Sequence, residues 1–284
     1  QYAEDDFSNQ SLPDKPIDNV FYLVGDAGKS PINGYSDALM AFKRHLAAQD
    51  NSEENYTIYL GDNIYPAGLP KKEHKNRDEA ENALNAQIGS VEGFNGKTIF
   101  IPGNHDWYAD GLKGVKRQEK YIEKALGKNT FQPENGCPLE SIDVSEDIQL
   151  IVIDTQWYLE NWNKNPTIND ECEIKTRERF FEEIEGELKK AQNKTIVFAM
   201  HHPMYTNGSH GGKYSFKSHF KPLPFFGSLK NLIRKTSGIT NTDIQNKRYN
   251  AFKKHIITLS QENKKTIFIS GHDHNLQYIV KDNL

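Results

Sequence analysis

Six short apolar runs, each breaking off at a turn loaded with Asp, Asn or His, constrain this chain more than any other feature. Residues 19–24 lead into Gly25 and Asp26, 56–60 into Gly61 and Asp62, and 97–101 into Pro102, Gly103, Asn104 and His105. Residues 148–153 lead into Asp154, 195–200 into His201 and His202, and 266–270 into Gly271, His272, Asp273 and His274. Each run has a strand's length, and its apolar character is nearly continuous rather than alternating, which predicts strands covered on both faces. Between them, 37–49, 77–88, 176–192 and 246–261 carry apolar residues at helical spacing, as with Phe180, Phe181, Ile184 and Leu188. Strands alternating with helices predict an α/β sandwich with helices on both faces, whose ligands gather at the carboxyl ends of the strands. No repeat, low-complexity tract or linker divides the chain, so residues 1–284 read as one domain.

The turns offer metal ligands. Asp26 and Asp62 supply carboxylates, Tyr65 a phenol three residues after Asp62, and Asn104 an amide oxygen. His105, His201, His272 and His274 supply imidazoles. A glycine ahead of the polar residue lets a strand turn sharply and a ligand come close. Singly these signals are weak, because Gly-Asp is a common turn and a lone His at a strand end is more often structural. In order they form a five-block signature: Gly-Asp-x-Gly, Gly-Asp-x-x-Tyr, Gly-Asn-His-Asp, His before Pro, and Gly-His-x-His.

On these blocks the chain resembles the calcineurin-like metallophosphoesterases, and within them the purple acid phosphatases of the small tartrate-resistant type. The runs 61–65, 103–106 and 271–277 carry the closest likeness. The resemblance implies a four-layer α/β/β/α sandwich with a dinuclear metal site at the carboxyl ends of the strands. Carried over position by position, Asp26, Tyr65 and His274 hold the first metal, Asn104, His201 and His272 the second, and Asp62 bridges both. Two cations so placed orient an attacking hydroxide and neutralise charge during an in-line displacement. Most of the superfamily places an imidazole two residues after the first Asp, where this chain has Gly28. Tyr65 takes that role, and because a phenol with a reference pKa near 10 must lose its proton to bind, Fe(III) is expected there. The second site suits Fe(II), Zn or Mn.

The implied activity is hydrolysis of phosphate monoesters, of acid phosphatase type. Cleavage of diesters or nucleotides on the same metals is the alternative. A non-catalytic binding module predicts broken ligand positions, and none is broken. His105 and His210 are the expected phosphate-binding or proton-donating imidazoles. His202 is read as packing beside Pro203, and Asp106 and Asp154 as residues that orient their neighbours.

Two departures from the likeness stand out. Ala27 replaces a bulky aromatic, and the chain stops ten residues beyond His274, where further strands normally close the sheet. The expectation is a fragment of a longer polypeptide, or another element covering that edge. The polar start at Gln1 suits the end left by leader removal, which favours export, and equally suits a trimmed terminus, which says nothing of it. Cys137 and Cys172 match no zinc or redox spacing and are either two separate thiols or one disulfide. A net charge of −4 gives no reason to expect a nucleic-acid partner, and no apolar run reaches the roughly 20 residues of a membrane span.

Residues 204–254 break the acidic average, with ten basic residues against one acidic residue, Asp243. They include Lys213, Lys217 and Lys221, with Phe216, Phe220, Leu223, Phe225, Phe226, Leu229, Leu232 and Ile233 interleaved. The plain expectation packs the apolar side chains on the body and leaves the lysines in water. The sharper one sets this excursion at the site mouth, drawing anionic esters inward and meeting a partner or the missing remainder of the chain.

Overall fold

A computed structural model describes residues 16–49, 52–214, 220, 226–237, 240–263 and 265–280. Strand β1 (Phe21–Val24) is followed by helix α1 (Asp37–Ala48), β2 (Tyr56–Tyr59), α2 (Arg77–Ser90) and β3 (Lys97–Phe100). Then come α3 (Asn104–Trp107), α4 (Leu112–Leu126), β4 (Leu139–Asp143), β5 (Ile148–Ile153), α5 (Thr155–Leu159) and α6 (Arg177–Lys190). Strand β6 (Thr195–Met200), α7 (Phe226–Ser237), α8 (Lys247–Ser260) and β7 (Thr266–Ile269) complete the order. All six apolar runs are strands, and the four expected helices lie within two residues of their expected bounds.

The strands form two sheets. In the first, β1, β2 and β3 run parallel in that order; in the second the order is β4-β5-β6-β7, with only β4 antiparallel. Period-2 alternation sorts their side chains into two cores. Ile58, Leu60, Ile99 and Ile101 of the first sheet meet Leu150, Val152, Val197 and Ala199 of the second. The alternate residues Tyr59, Phe100, Ile151, Ile153, Phe198 and Met200 join Leu39, Leu84, Phe180, Ile184 and Phe252 from the helices. Helix, sheet, sheet, helix is therefore the layer order. Each fully buried Ile, Leu or Phe in these layers stabilises the fold by about 1.5–3 kcal/mol. Ser36 and Thr176 cap α1 and α6, accepting from Leu39 N and Arg179 N, so the helices begin where their side chains satisfy free amides.

Coverage of both faces holds for β2, β5 and β6 but not for β1 and β7. Leu23 and Ile267 are exposed, because these strands lie at the edges of their sheets. Among the described residues no strand pairs with the outer edge of β7. No described helix is long and apolar enough to cross a membrane. Strand β4 went unread in the sequence because Leu-Glu-Ser-Ile-Asp carries only two apolar residues, Leu139 and Ile142, which face opposite cores.

Within 204–254, Lys217, Lys221, Phe216, Leu223 and Phe225 lie outside the described residues. Helix α7 turns Leu229, Leu232 and Ile233 outward, so the expectation that these apolar side chains pack on the body fails for them. Residues 247–254 belong instead to α8, whose Tyr249 and Phe252 are fully buried.

Cys137 and Cys172 are bonded, closing a loop with a sequence separation of 35. Loop-closure entropy of that size makes the bond worth about 3–4 kcal/mol. Denaturant titration of the Cys137→Ser, Cys172→Ser protein should show a loss of that order. A loss below about 1 kcal/mol would mean that the loop is restrained by its other contacts even when unfolded.

Candidate metal centre

The loaded turns converge where the carboxyl ends of the two sheets meet. Four expected ligands adopt a left-handed backbone: Asp26 (φ 55°), Asp62 (φ 53°), His272 (φ 76°) and His274 (φ 48°). Such conformations cost about 1–3 kcal/mol each in non-glycine residues and cluster at functional sites. The neighbouring glycines serve a different purpose from the turning role expected of them, Gly61 (φ 87°) excepted. Gly28 packs so tightly on the Asp62 turn that an added Cβ would meet Asp62 O and Ile64 N, each at 2.5 Å. Ala27, beside it, is half-buried against the core.

The first donor group surrounds the Tyr65 hydroxyl. It lies 3.1 Å from Asp26 Oδ1, 3.0 Å from Asp62 Oδ2 and 2.8 Å from His274 Nε2. His274 Nε2 is itself 3.4 Å from Asp26 Oδ1. A phenol has one proton and His274 Nε2 at most one more, too few to reconcile four converging donor atoms. Burial, then the charges of Asp62 and Asp26, push the Tyr65 phenol far above its ordinary value. Ionised Tyr65 therefore needs strong positive charge beside it.

The second group surrounds His201 Nε2, which lies 3.1 Å from Asn104 Oδ1, 3.4 Å from Asp62 Oδ1 and 3.2 Å from His272 Nδ1. Backbone carbonyls hold both rings from behind: His201 Nδ1 is 2.8 Å from Leu60 O and His272 Nε2 is 3.1 Å from Thr242 O. These partners set the tautomers that aim both remaining lone pairs inward. Asn104 is oriented likewise, its amide nitrogen donating to Tyr108 Oη at 2.7 Å. Burial and repulsion from His201 and His210 keep the His272 ring neutral. Burial also pushes His201 down, but Asp62 and Asp26 outweigh it and lift the ring to about 9. The field here calls for a positive charge, which a proton or a cation can supply.

Asp62 contributes one oxygen to each group, so a single buried carboxylate spans both. Burial pushes it up, yet His201 and His105 together hold it well below the usual carboxylate range. Lone pairs converging from carboxylates, imidazoles, an amide and a phenol are the chemistry of two cation sites, and the residues present fit them.

His105 and His210 flank the two groups. His105 Nδ1 is held 2.6 Å from Pro66 O, and its Nε2 stands 3.9 Å from Asp62 Oδ2. His210 Nδ1 is 3.1 Å from Asp243 Oδ1, and its ring lies 4.0 Å from that of His272. Asp106, fully buried, accepts from the backbone of Gly103, Asn63 and Ile64, locking the Asp62 turn to the Asn104 turn. Asp154 accepts from Trp107 Nε1 and caps α5. His202 is buried among the imidazoles, close enough to His201 and His272 to count as a third donor; Thr155 Oγ1 takes its Nδ1 at 2.6 Å, and its buried Nε2 has no partner among the described residues. The Tyr108 contact had a readable signal, one helical turn after Asn104. Leu60, Thr242 and Asp243 had none.

The family model of the calcineurin-like phosphoesterases matches residues 20–276, and no curated protein sequence matches the chain. That span opens just before β1 and closes just after the last histidine turn, taking in every donor described above. The chain therefore belongs to the calcineurin-like phosphoesterase family, hydrolases that act on phosphoesters with bound metal ions.

Proposed function

We propose that the protein hydrolyses phosphate monoesters in the manner of an acid phosphatase, with a purple acid phosphatase type of centre. One observation carries this reading: the Tyr65 hydroxyl within 3.1 Å of three further donor atoms, on a carboxylate shared with a second donor group. Asp26, Tyr65 and His274 would hold an iron ion, Fe(III) when oxidised, and Asn104, His201 and His272 would hold Fe(II), Zn or Mn, with Asp62 shared between them. Two cations so held would supply Lewis-acid polarisation of the ester and a water of lowered pKa as nucleophile.

The chain's own side chains do the rest. His105 and His210 each donate the Nδ1 proton to a fixed acceptor, so it is the ring carrying a second proton, on Nε2, that can hold phosphate oxygens or protonate the departing alkoxide. Asp106 keeps the two central turns in register. The disulfide supports an oxidising compartment, and so export, since such bonds are rare in reducing ones.

Metal analysis, visible spectroscopy and a panel of monoesters and diesters test the reading. We expect two metals per chain, at least one of them iron, and preference for monoesters. Oxidised protein should show a phenolate-to-iron charge-transfer band that Tyr65→Phe bleaches without unfolding the chain. Iron-loaded, oxidised wild type lacking the band would remove Tyr65 as a ligand, and faster turnover of diesters would move the substrate class.

A further inference from the structure

One short stretch of chain supports both His272 and His210. Thr242 O takes His272 Nε2 at 3.1 Å, and the next residue, Asp243, takes His210 Nδ1 at 3.1 Å. Ile244 N closes the same turn onto His210 O at 3.1 Å. The Asp243 side chain is 1% exposed, whereas those of His210 and Arg234 keep 24% and 21%. Arg234, on α7, grips the carboxylate from the far side: Nε donates to Oδ2 at 3.0 Å and Nη2 to Oδ1. Two-point attachment fixes the plane of the carboxylate, and with it the direction in which it accepts from His210.

We propose that Asp243, clamped by Arg234, is a positioning residue for the hydrolytic reaction: it accepts the Nδ1 proton of His210 and so fixes the ring with Nε2 left for the ester. An imidazole whose Nδ1–H is held by a carboxylate is locked in tautomer and orientation, as for residues that support metal-bound histidines. The proposal rests on the role given to His210 above. It assigns to the basic excursion a second task beyond its charge, because Arg234 and Asp243 both come from it.

The test is nitrogen-15 NMR of the histidine rings in zinc-loaded protein, with the His210 signals identified by their absence in His210→Ala. Wild type should show Nδ1 protonated. Asp243→Ala should free the ring, so that Nδ1-protonated and Nε2-protonated forms mix, and lower kcat/KM for an alkyl phosphate by about 10–100-fold through the lost orientation, the range typical of such supporting contacts. Asp243→Asn, whose amide oxygen can still accept, should recover most of the wild-type signal. Adding Asp243→Ala to His210→Ala should cost less than about twofold more, since Asp243 acts through the ring. A wild-type ring with Nδ1 bare overturns the proposal even if no Asp243 variant folds, and so do independent, multiplying losses in the double variant. If His210→Ala leaves hydrolysis unchanged, the reading of His210 falls instead, and the wild-type ring signals alone decide whether Asp243 sets the imidazole.

Discussion

Replacing Asp62 with Asn is expected to release both metals and lower kcat/KM by about 10³-fold or more, beyond the roughly 10–100-fold typical when a contact supporting a metal ligand is lost. Its two oxygens serve different donor groups, 3.0 Å from Tyr65 Oη and 3.4 Å from His201 Nε2. An amide offers one neutral oxygen in place of two charged ones, so neither cation keeps its shared ligand. Asn104→Ala, by contrast, removes one donor from one group and should leave the metal of the Tyr65 group in place. Mass spectrometry of the purified variants separates these outcomes. An Asp62→Asn protein that retains two tightly bound metals and a tenth of wild-type activity would end the bridging assignment.

The same residue links metal binding to pH. In chelated protein, His201 is lifted to about 9, so its contribution to stability is complete below its ordinary range and is lost as pH rises through about 9. Asp62 is depressed, so its contribution is complete above the ordinary carboxylate range and is lost as pH falls below it. Chelated wild type should therefore be most stable between those limits, and Asp62→Asn should lose stability inside that window.

Much of this centre was legible because its chemistry sits in side chains at the ends of apolar runs. Asp26, Asp62, Asn104, His201 and His272 each come within four residues of a strand's end, so reading the strands located these donor side chains. The supporting contacts were hidden for identifiable reasons. Leu60 and Thr242 act through carbonyls, which every residue carries, so no side chain marks them. Asp243 stands 33 residues after His210, across a stretch whose path is set by tertiary packing. The glycines misled in part: of those ahead of the polar residues only Gly61 is left-handed, while the other left-handed turns fell on Asp26, Asp62, His272 and His274 themselves. Side-chain type reports what a position can bind, but not which backbone must strain to aim it.

The second large effect concerns the two flanking imidazoles. Each is fixed through Nδ1, His105 on Pro66 O and His210 on Asp243, so each presents one remaining nitrogen at a set place. A proton delivered to a leaving alkoxide matters most when that alkoxide is strongly basic. General acid catalysis is worth about 10²–10⁴-fold in such cases and little for an activated aryl phosphate, whose leaving group departs as a stable anion. His105→Ala and His210→Ala should therefore cost alkyl phosphates about 10²-fold or more in kcat while costing nitrophenyl phosphate less than about tenfold. A side chain that only binds phosphate oxygens weakens every ester alike, because the transferred group is the same in all of them. Equal losses across the leaving-group series would strip the proton-donor role from that histidine and leave it an oxygen-binding one. A loss confined to poor leaving groups in one variant and uniform in the other would divide the two tasks between the two rings.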